Sequence, residues 1–212
     1  MNSKKEKRMK KTFFGLSAVH ALPEGYAEYD AIDLKSNKKI AIFVNVLAVA
    51  LAAAMAIPAH FFLVPVSVLF DMENGIGEYS VRFLSLIALM ILYLVLHELV
   101  HGAAMKLCGT EKVKFGFTGI YAFAGSDDFY DKKSYIFVAL APVVLWGIVL
   151  AAVNFFVPET WFWVVYLIQI CNISGAAGDF FVTVRFLRFP KDVLVRDVGI
   201  RMTVYSKERK AG

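Results

Sequence analysis

Long apolar stretches separated by short polar ones dominate the chain. Residues 40–70, 83–96, 134–157 and 160–178 contain no Asp, Glu, Lys or Arg. A helix needs roughly 20 apolar residues to cross the hydrocarbon core of a bilayer. Three of the stretches are long enough by themselves, and the second is long enough only if its helix continues to about residue 105.

The pattern therefore predicts an all-α membrane protein with four transmembrane helices. We place these helices within residues 40–70 and at about 81–107, 135–157 and 161–186. The predicted organisation is a basic N-terminal arm at 1–39, a four-span core at 40–186 and a basic tail at 187–212. Because 40–70 is longer than one crossing, Pro58 and Pro65 are expected to break it.

A short segment between the second and third helices has a different period. In residues 112–124, Val113, Phe115 and Phe117 alternate with polar or small residues, and Tyr121 and Phe123 follow a turn at Thr118-Gly119. Period-two alternation around a glycine predicts a short β-hairpin, here at the membrane interface. Such a hairpin would either shield a site or offer its edge to an extended substrate.

Composition and charge support a membrane protein. The chain is 58% hydrophobic and 19% charged, which is too apolar for an ordinary soluble domain of 212 residues. The net charge of +5 comes from basic residues clustered at the two ends, without the basic stripe that nucleic-acid binding requires. We therefore expect a lipid bilayer and a membrane protein or peptide as partners, and no nucleic acid. The sequence predicts no oligomeric state.

The distribution of Lys and Arg also predicts the orientation. These residues are frequent in the N-terminal arm, in the 106–133 loop and in the tail, whereas the 71–80 loop and the 158–160 turn have none. Because Lys and Arg are retained on the cytoplasmic side, we expect a multi-pass protein of the cell membrane with both termini in the cytoplasm.

The second predicted helix contains the segment Leu96-His97-Glu98-Leu99-Val100-His101-Gly102. Positions i and i+4 share one helix face, so His97 and His101 can bind one Zn²⁺ ion. Glu98 is then placed to act as general base on a zinc-activated water. Ionisable groups inside a membrane helix are costly, which favours a functional site over chance.

A catalytic zinc has three protein ligands, and the third lies elsewhere in the chain. The candidates are acidic residues of the 108–133 loop and one of the fourth helix: Glu111, Asp127, Asp128, Asp131 and Asp179. Depth favours Asp179, since it and His97 lie about 27 Å and 24 Å along their helices from the same side. Asp128 is the reserve candidate, and an interfacial ion pair is the alternative role for Asp179.

Asn172 precedes Asp179 by seven residues and falls on the same helix face. Its amide could bind the substrate carbonyl or form a hydrogen bond between helices, and the sequence supports both equally. A close approach of the fourth helix to the second is permitted by the small residues Gly175, Ala176, Ala177 and Gly178.

These residues resemble the site-2 protease group of intramembrane zinc metalloproteases, and more narrowly the small bacterial membrane proteins described as putative zincin peptidases. The resemblance rests on His97 to Gly102 and on Asn172 to Asp179, and covers roughly residues 81–186. It implies that Asp179 completes the zinc site and that the reaction is proteolysis near the membrane. The Gly-Asp-Phe context of Asp179 and the lack of a PDZ-like insertion depart from site-2 proteases.

Two other functions fit some of the same features. Ionisable residues within membrane helices also mark ion routes, so a transporter is one alternative, although no internal repeat is visible. A membrane scaffold that binds metal without catalysis is the other.

Overall fold

The computed structural model describes residues 15–32, 37–117, 119, 122–199 and 201–207. Most basic residues of the predicted N-terminal arm, together with Thr118 and Tyr121 of the alternating segment, lie outside the described residues. The helices are α1 (Lys38–Phe62), α2 (Ile76–Leu107), α3 (Lys132–Phe156), α4 (Glu159–Gly175) and α5 (Ala177–Leu187), with a 3-10 helix at Val66–Phe70. The strands are β1 (Ala18–Val19), β2 (Ala27–Ile32), β3 (Lys114–Phe117), β4 (Ala122–Gly125), β5 (Phe129–Asp131), β6 (Leu194–Asp197) and β7 (Met202–Ser206).

Four helical segments are long and apolar enough to cross a membrane, as the sequence predicted. They are Lys38–Phe62, Ile76–Leu107, Lys132–Phe156 and Glu159–Leu187. The apolar side chains on these segments are largely exposed; Phe62 and Phe155, for example, are each 83% exposed. Because soluble monomers rarely expose so much contiguous apolar surface, these faces fit contact with lipid.

Two details of the helices differ from the sequence prediction. α1 continues through Pro58 and ends at Phe62, and Pro65 precedes the 3-10 helix. The fourth segment is divided at Ala176, whose φ of −80° and ψ of 11° end α4 before α5 begins. Among the four small residues at this break, Ala176 and Ala177 are each 1% exposed, whereas a Cβ built on Gly175 or Gly178 meets no atom within 4 Å. The alanines are therefore packed, and the two glycines are not closely approached.

The chain divides into two compact units. The sheet unit comprises Met1–Lys38, Glu98–Ala139 and Thr183–Gly212, and the helical unit comprises Lys39–His97 and Leu140–Val182. In the helical unit, the Trp163 indole is buried and donates hydrogen bonds to the carbonyls of Val64 (2.9 Å) and Pro65 (3.1 Å). A second core cluster there surrounds Tyr93 and Val165.

The sheet unit contains more β-structure than an all-α protein with one hairpin. A five-stranded antiparallel sheet has the order β1-β5-β6-β7-β2, and β3 pairs with β4 in a separate two-stranded sheet. The larger sheet was missed because its strands have only two to six residues and come from three distant parts of the chain. Strands that short show too few alternations to be recognised.

The two-stranded sheet lies largely within the segment of residues 112–124, where apolar and polar or small residues alternate. Lys114 pairs with Gly125 and Phe117 pairs with Ala122, in antiparallel register. β3 is mostly exposed, whereas the end of β4 is buried against the backbone of residues 198–199, which lies under 3 Å from a Cβ built on Gly125. The accessible strand of this sheet is therefore β3.

Candidate metal centre

α2 holds three potential metal ligands on one side. His97, Glu98 and His101 each offer one ligand atom, and these atoms lie within 4.8 Å of one another. All three side chains are half-buried. The grouping follows from the helix itself, because residues four apart lie one above the other and Glu98 is adjacent to His97.

A hydrogen-bonded chain in the helical unit orients the first histidine. The Tyr93 hydroxyl donates to Oδ1 of Asn172 (3.0 Å) and lies 2.9 Å from Nδ1 of His97. Nδ2 of Asn172 donates to the Val143 carbonyl (3.1 Å), which fixes the orientation of the amide. Since the hydroxyl proton goes to Asn172, Nδ1 of His97 is the donor to Tyr93 and Nε2 carries the lone pair.

A backbone carbonyl orients the second histidine. Nδ1 of His101 lies 2.9 Å from the carbonyl oxygen of Val138 in α3. A carbonyl only accepts, so Nδ1 donates and Nε2 again carries the lone pair. Metal-binding histidines in proteins are held in this way by a hydrogen bond from the other ring nitrogen.

The donor set fits a zinc ion. Two imidazoles with the same tautomer, separated by one helical turn, are a common zinc-binding pair. The ligand atoms lie within 4.8 Å of one another, compared with the roughly 3.3 Å that separates two donors on a tetrahedral zinc ion. His97 and His101 would hold the ion, and Glu98 is positioned beside it.

The half-buried Asp197 lies near His101 in the sheet unit. Asp197 accepts hydrogen bonds from the Tyr135 hydroxyl (2.6 Å) and from the Gly199 N–H (2.7 Å). Burial raises the pKa of Asp197, while these two hydrogen bonds act in the opposite direction.

The four acidic loop residues proposed as third ligands have other partners. Asp128 lies 2.8 Å from Nδ1 of His20, and Glu111 lies 3.9 Å from Nε2 of the same ring. Asp127 pairs with Lys114 and with Arg196, and these contacts lower its pKa. Asp131 accepts hydrogen bonds from the Ser17 hydroxyl and from the backbone N–H of Ser134 at the start of α3.

Asp179 lies in the first turn of α5 and is half-buried. It is not a member of the group formed by His97, Glu98 and His101. Its role as third ligand remains a prediction.

Asn172 is fully buried, and its amide is engaged with Tyr93 and Val143. These contacts are the interhelical hydrogen bonds that the sequence left as one of two roles for Asn172. Substrate binding by Asn172 remains a prediction.

Gly102 allows a strand to pack against the helix beside His101. A Cβ at Gly102 would lie 2.5 Å from Cζ of Phe115 and 3.4 Å from Cγ1 of Val113. Real Cβ atoms do not approach an aromatic ring that closely, so the Phe115 ring occupies the space that a side chain would fill. The glycine that ends the motif therefore positions β3 next to the candidate metal ligands.

Sequence reasoning missed three features that contact or influence the histidines. Tyr93 precedes His97 by four residues, so its place on the same helix face could have been found from spacing alone. The Val138 carbonyl and the Asp197 carboxylate have no such signal, because only the packing of α3 and β6 brings them near His101.

An apolar helix that carries two oriented histidines and a glutamate forms a candidate zinc site in a protein with candidate membrane spans. Residues 90–194, just under half of the chain, match the sequence model of a family described as putative zincin peptidase. The matched segment contains the three grouped residues, Tyr93, Asn172 and Asp179, and it supports a zinc metallopeptidase. No curated protein and no solved structure matches the chain.

Proposed function

We propose that this protein is a membrane-embedded zinc metallopeptidase, similar to site-2 proteases, that hydrolyses peptide bonds of membrane or membrane-proximal substrates. The observation that carries the proposal is the grouping of His97, Glu98 and His101 within a helix that is itself a candidate membrane span. A helix of that kind brings hydrolytic chemistry to the depth of the bilayer.

Each residue has a specific role in this proposal. His97 and His101 bind the ion through Nε2, and Asp179 supplies the third ligand. Zinc bound there would act as a Lewis acid that lowers the pKa of water and polarises a carbonyl. Glu98 accepts the proton of the attacking water and delivers it to the leaving amine.

The exposed strand β3 offers a route for the substrate. Phe115 and Phe117 are 53% and 71% exposed, and the ring of Phe115 lies against Gly102 beside the site. A peptide that adds to the edge of β3 would be extended, which exposes a scissile bond that a helix would shield. We place the protein in the cell membrane with both termini in the cytoplasm, so this edge would face cytoplasmic parts of a substrate.

The metal is tested by measuring zinc per chain in the purified protein by mass spectrometry. About one equivalent is expected in the wild type and in Glu98→Gln, which keeps both imidazoles. His97→Ala and Asp179→Ala are expected to lose most of the zinc. His60→Ala is the matched control, because His60 accepts a hydrogen bond from the Val66 N–H and lies outside the site.

A wild-type protein that binds no zinc would contradict the metal site. Normal zinc content in Asp179→Ala would reject only the third-ligand assignment, and Asp128→Ala would then be measured.

Proteolysis is tested without a known substrate. Protein N-termini in membranes of cells that express the wild type are compared by mass spectrometry with those from cells that express Glu98→Gln. We expect new N-termini in the wild type that decrease about 100-fold or more in the variant, since loss of a general base costs at least that much. Identical N-termini in both, with zinc bound in both, would favour a non-catalytic scaffold. Zinc flux into vesicles would favour a transporter.

A further inference from the structure

The sheet unit contains a cavity of about 760 Å³ beside the start of a candidate membrane span. Three parts of the chain line it: the segment before β2, the first turn of α3, and the residues that flank β6 and β7. Four lysines are among the lining residues, namely Lys132, Lys133, Lys191 and Lys207. We propose that this cavity binds the phosphate headgroup of an anionic phospholipid.

The charges of the cavity favour an anion. The four lysines are accompanied by two carboxylates, Asp131 and Asp192, which leaves a net charge of +2. Both carboxylates accept hydrogen bonds from the protein: Asp131 from Ser17 and Ser134, and Asp192 from the Ser206 hydroxyl and the Lys207 N–H. The acidic groups therefore stabilise the walls of the cavity, and neither forms an ion pair with a described lysine.

One of the four lysines donates hydrogen bonds to backbone carbonyls, and the side chains of the other three are exposed. Nζ of Lys132 donates to the carbonyls of Leu187 (3.1 Å) and Phe189 (2.9 Å) at the end of α5. Lys133, Lys191 and Lys207 are exposed. Lys191 has no ion-pair partner among the described residues, and Nζ of Lys207 lies 5.5 Å from the centre of the Tyr26 ring.

The position of α3 identifies a lipid as the source of the phosphate. Lys132 and Lys133 are the first residues of a helix that has no charged residue from Ser134 to its end at Phe156. In a membrane helix, such lysines mark the level where the hydrocarbon ends and the lipid phosphates lie. The lining is completed by Tyr26 and by four apolar residues, Pro23, Ile136, Val193 and Leu194. A headgroup bound there could therefore keep its glycerol and upper acyl atoms on apolar surface.

The experiment measures lipid binding to the full-length protein by native mass spectrometry in detergent. Phosphatidylglycerol is compared with phosphatidylcholine of the same acyl chains, for the wild type and for Lys191→Gln/Lys207→Gln. We expect the wild type to prefer phosphatidylglycerol. The double variant should bind it roughly 10- to 30-fold more weakly, since each lysine near an anionic headgroup contributes on the order of a fivefold preference.

Lys38→Gln/Lys39→Gln is the matched control. It removes the same charge from the first two residues of α1, which also begin a candidate span but do not line the cavity. Unchanged phosphatidylglycerol binding in this control supports the cavity as the site. Equal weakening in both double variants would mean that general surface charge attracts the lipid, and would overturn the proposal.

Two further measurements distinguish the other outcomes. Displacement of phosphatidylglycerol by millimolar inorganic phosphate or glycerol phosphate would indicate a site for a soluble phosphate compound and overturn the lipid assignment. The melting temperature of each variant shows that folding is retained. If Lys191→Gln/Lys207→Gln does not fold, the single variants Lys191→Gln and Lys207→Gln replace it, and each should weaken binding about fivefold.

Discussion

The hydroxyl of Tyr93 joins a histidine of α2 to an amide of α4. It bonds to His97 on its own helix and to Asn172 across the helix interface, and Asn172 in turn bonds to Val143 in α3. All three side chains belong to the helical unit, where Tyr93 is only 5% exposed. Through these hydrogen bonds, the packing of three helices determines the orientation of the His97 imidazole.

Tyr93→Phe removes the hydroxyl and keeps the ring that packs in the core. Without this partner, Nδ1 of His97 is no longer held as the donor, so the tautomer that presents Nε2 to the metal is less populated. We expect zinc affinity to fall about 10- to 100-fold, the usual effect of losing a hydrogen bond to a metal-binding histidine. Competition with a fluorescent zinc chelator measures this change.

Tyr79→Phe is the control on the same helix, because the Tyr79 ring stacks on Phe83 and is remote in sequence from the motif. It should bind zinc like the wild type. Equal affinities in Tyr93→Phe and the wild type would show that the Tyr93 hydroxyl does not position His97.

At the residue scale, the sequence predicted the groups that are close together in the chain. His97, Glu98 and His101 lie together because one helical turn separates them, and any helix over this segment produces that grouping. The Val138 carbonyl depends on how α3 packs, so no spacing could predict it. The same dependence on packing explains why Asp179 was inferred from depth along a helix and not from a pattern.

At the element scale, Gly102 determines how β3 meets α2. A methyl group at this position would overlap the Phe115 ring, whose nearest atom would be 2.5 Å away. Overpacking costs about 1–3 kcal/mol, and the higher helix propensity of alanine offsets up to about 1 kcal/mol of that cost. Gly102→Ala should therefore destabilise the protein by up to about 2 kcal/mol. The melting temperature in detergent measures this effect.

Two further variants test the cause of that change. Phe115→Ala combined with Gly102→Ala restores the space, so the added methyl should cost less in this background than in the wild type. Gly175→Ala adds a methyl at a helical position with no neighbour within 4 Å, so the melting temperature should stay equal or rise slightly because of the higher helix propensity of alanine. If the methyl added at Gly102 costs as much with Phe115→Ala as in the wild type, Phe115 does not pack against the helix as described.

The helices were predictable because the length of an apolar run is a strong signal. α1 and α3 have 25 residues each, and their sequences contain almost nothing but apolar side chains. The break between α4 and α5 falls inside such an apolar run, so the hydropathy of the sequence does not indicate it. The strands of the larger sheet are each stabilised by partners that lie far away in the chain, as Tyr130 is by Ala18 and Val195.

At the scale of the whole molecule, the five-stranded sheet restricts how the chain can cross a membrane. β1 and β2 precede α1, β5 lies between α2 and α3, and β6 and β7 follow α5. Strands of one sheet must lie on one side of a bilayer, so a chain with this sheet would cross a membrane an even number of times between these strands. The distribution of Lys and Arg independently predicts that these segments lie on the same side of the membrane. It also predicts that this side is the cytoplasm.

Labelling of single cysteines in intact cells tests both statements. In a background of Cys108→Ser and Cys171→Ser, we place cysteine at exposed positions as Glu24→Cys, Lys112→Cys, Arg201→Cys and Glu73→Cys. A membrane-impermeant maleimide should label only Glu73→Cys in intact cells, because the 71–80 loop lies outside, and the other three only after permeabilisation. Labelling with the two sides exchanged would reject the cytoplasmic orientation and leave the sheet intact. Labelling that separates residues 24, 112 and 201 between the two sides would contradict the sheet itself, since its strands cannot pair across a bilayer.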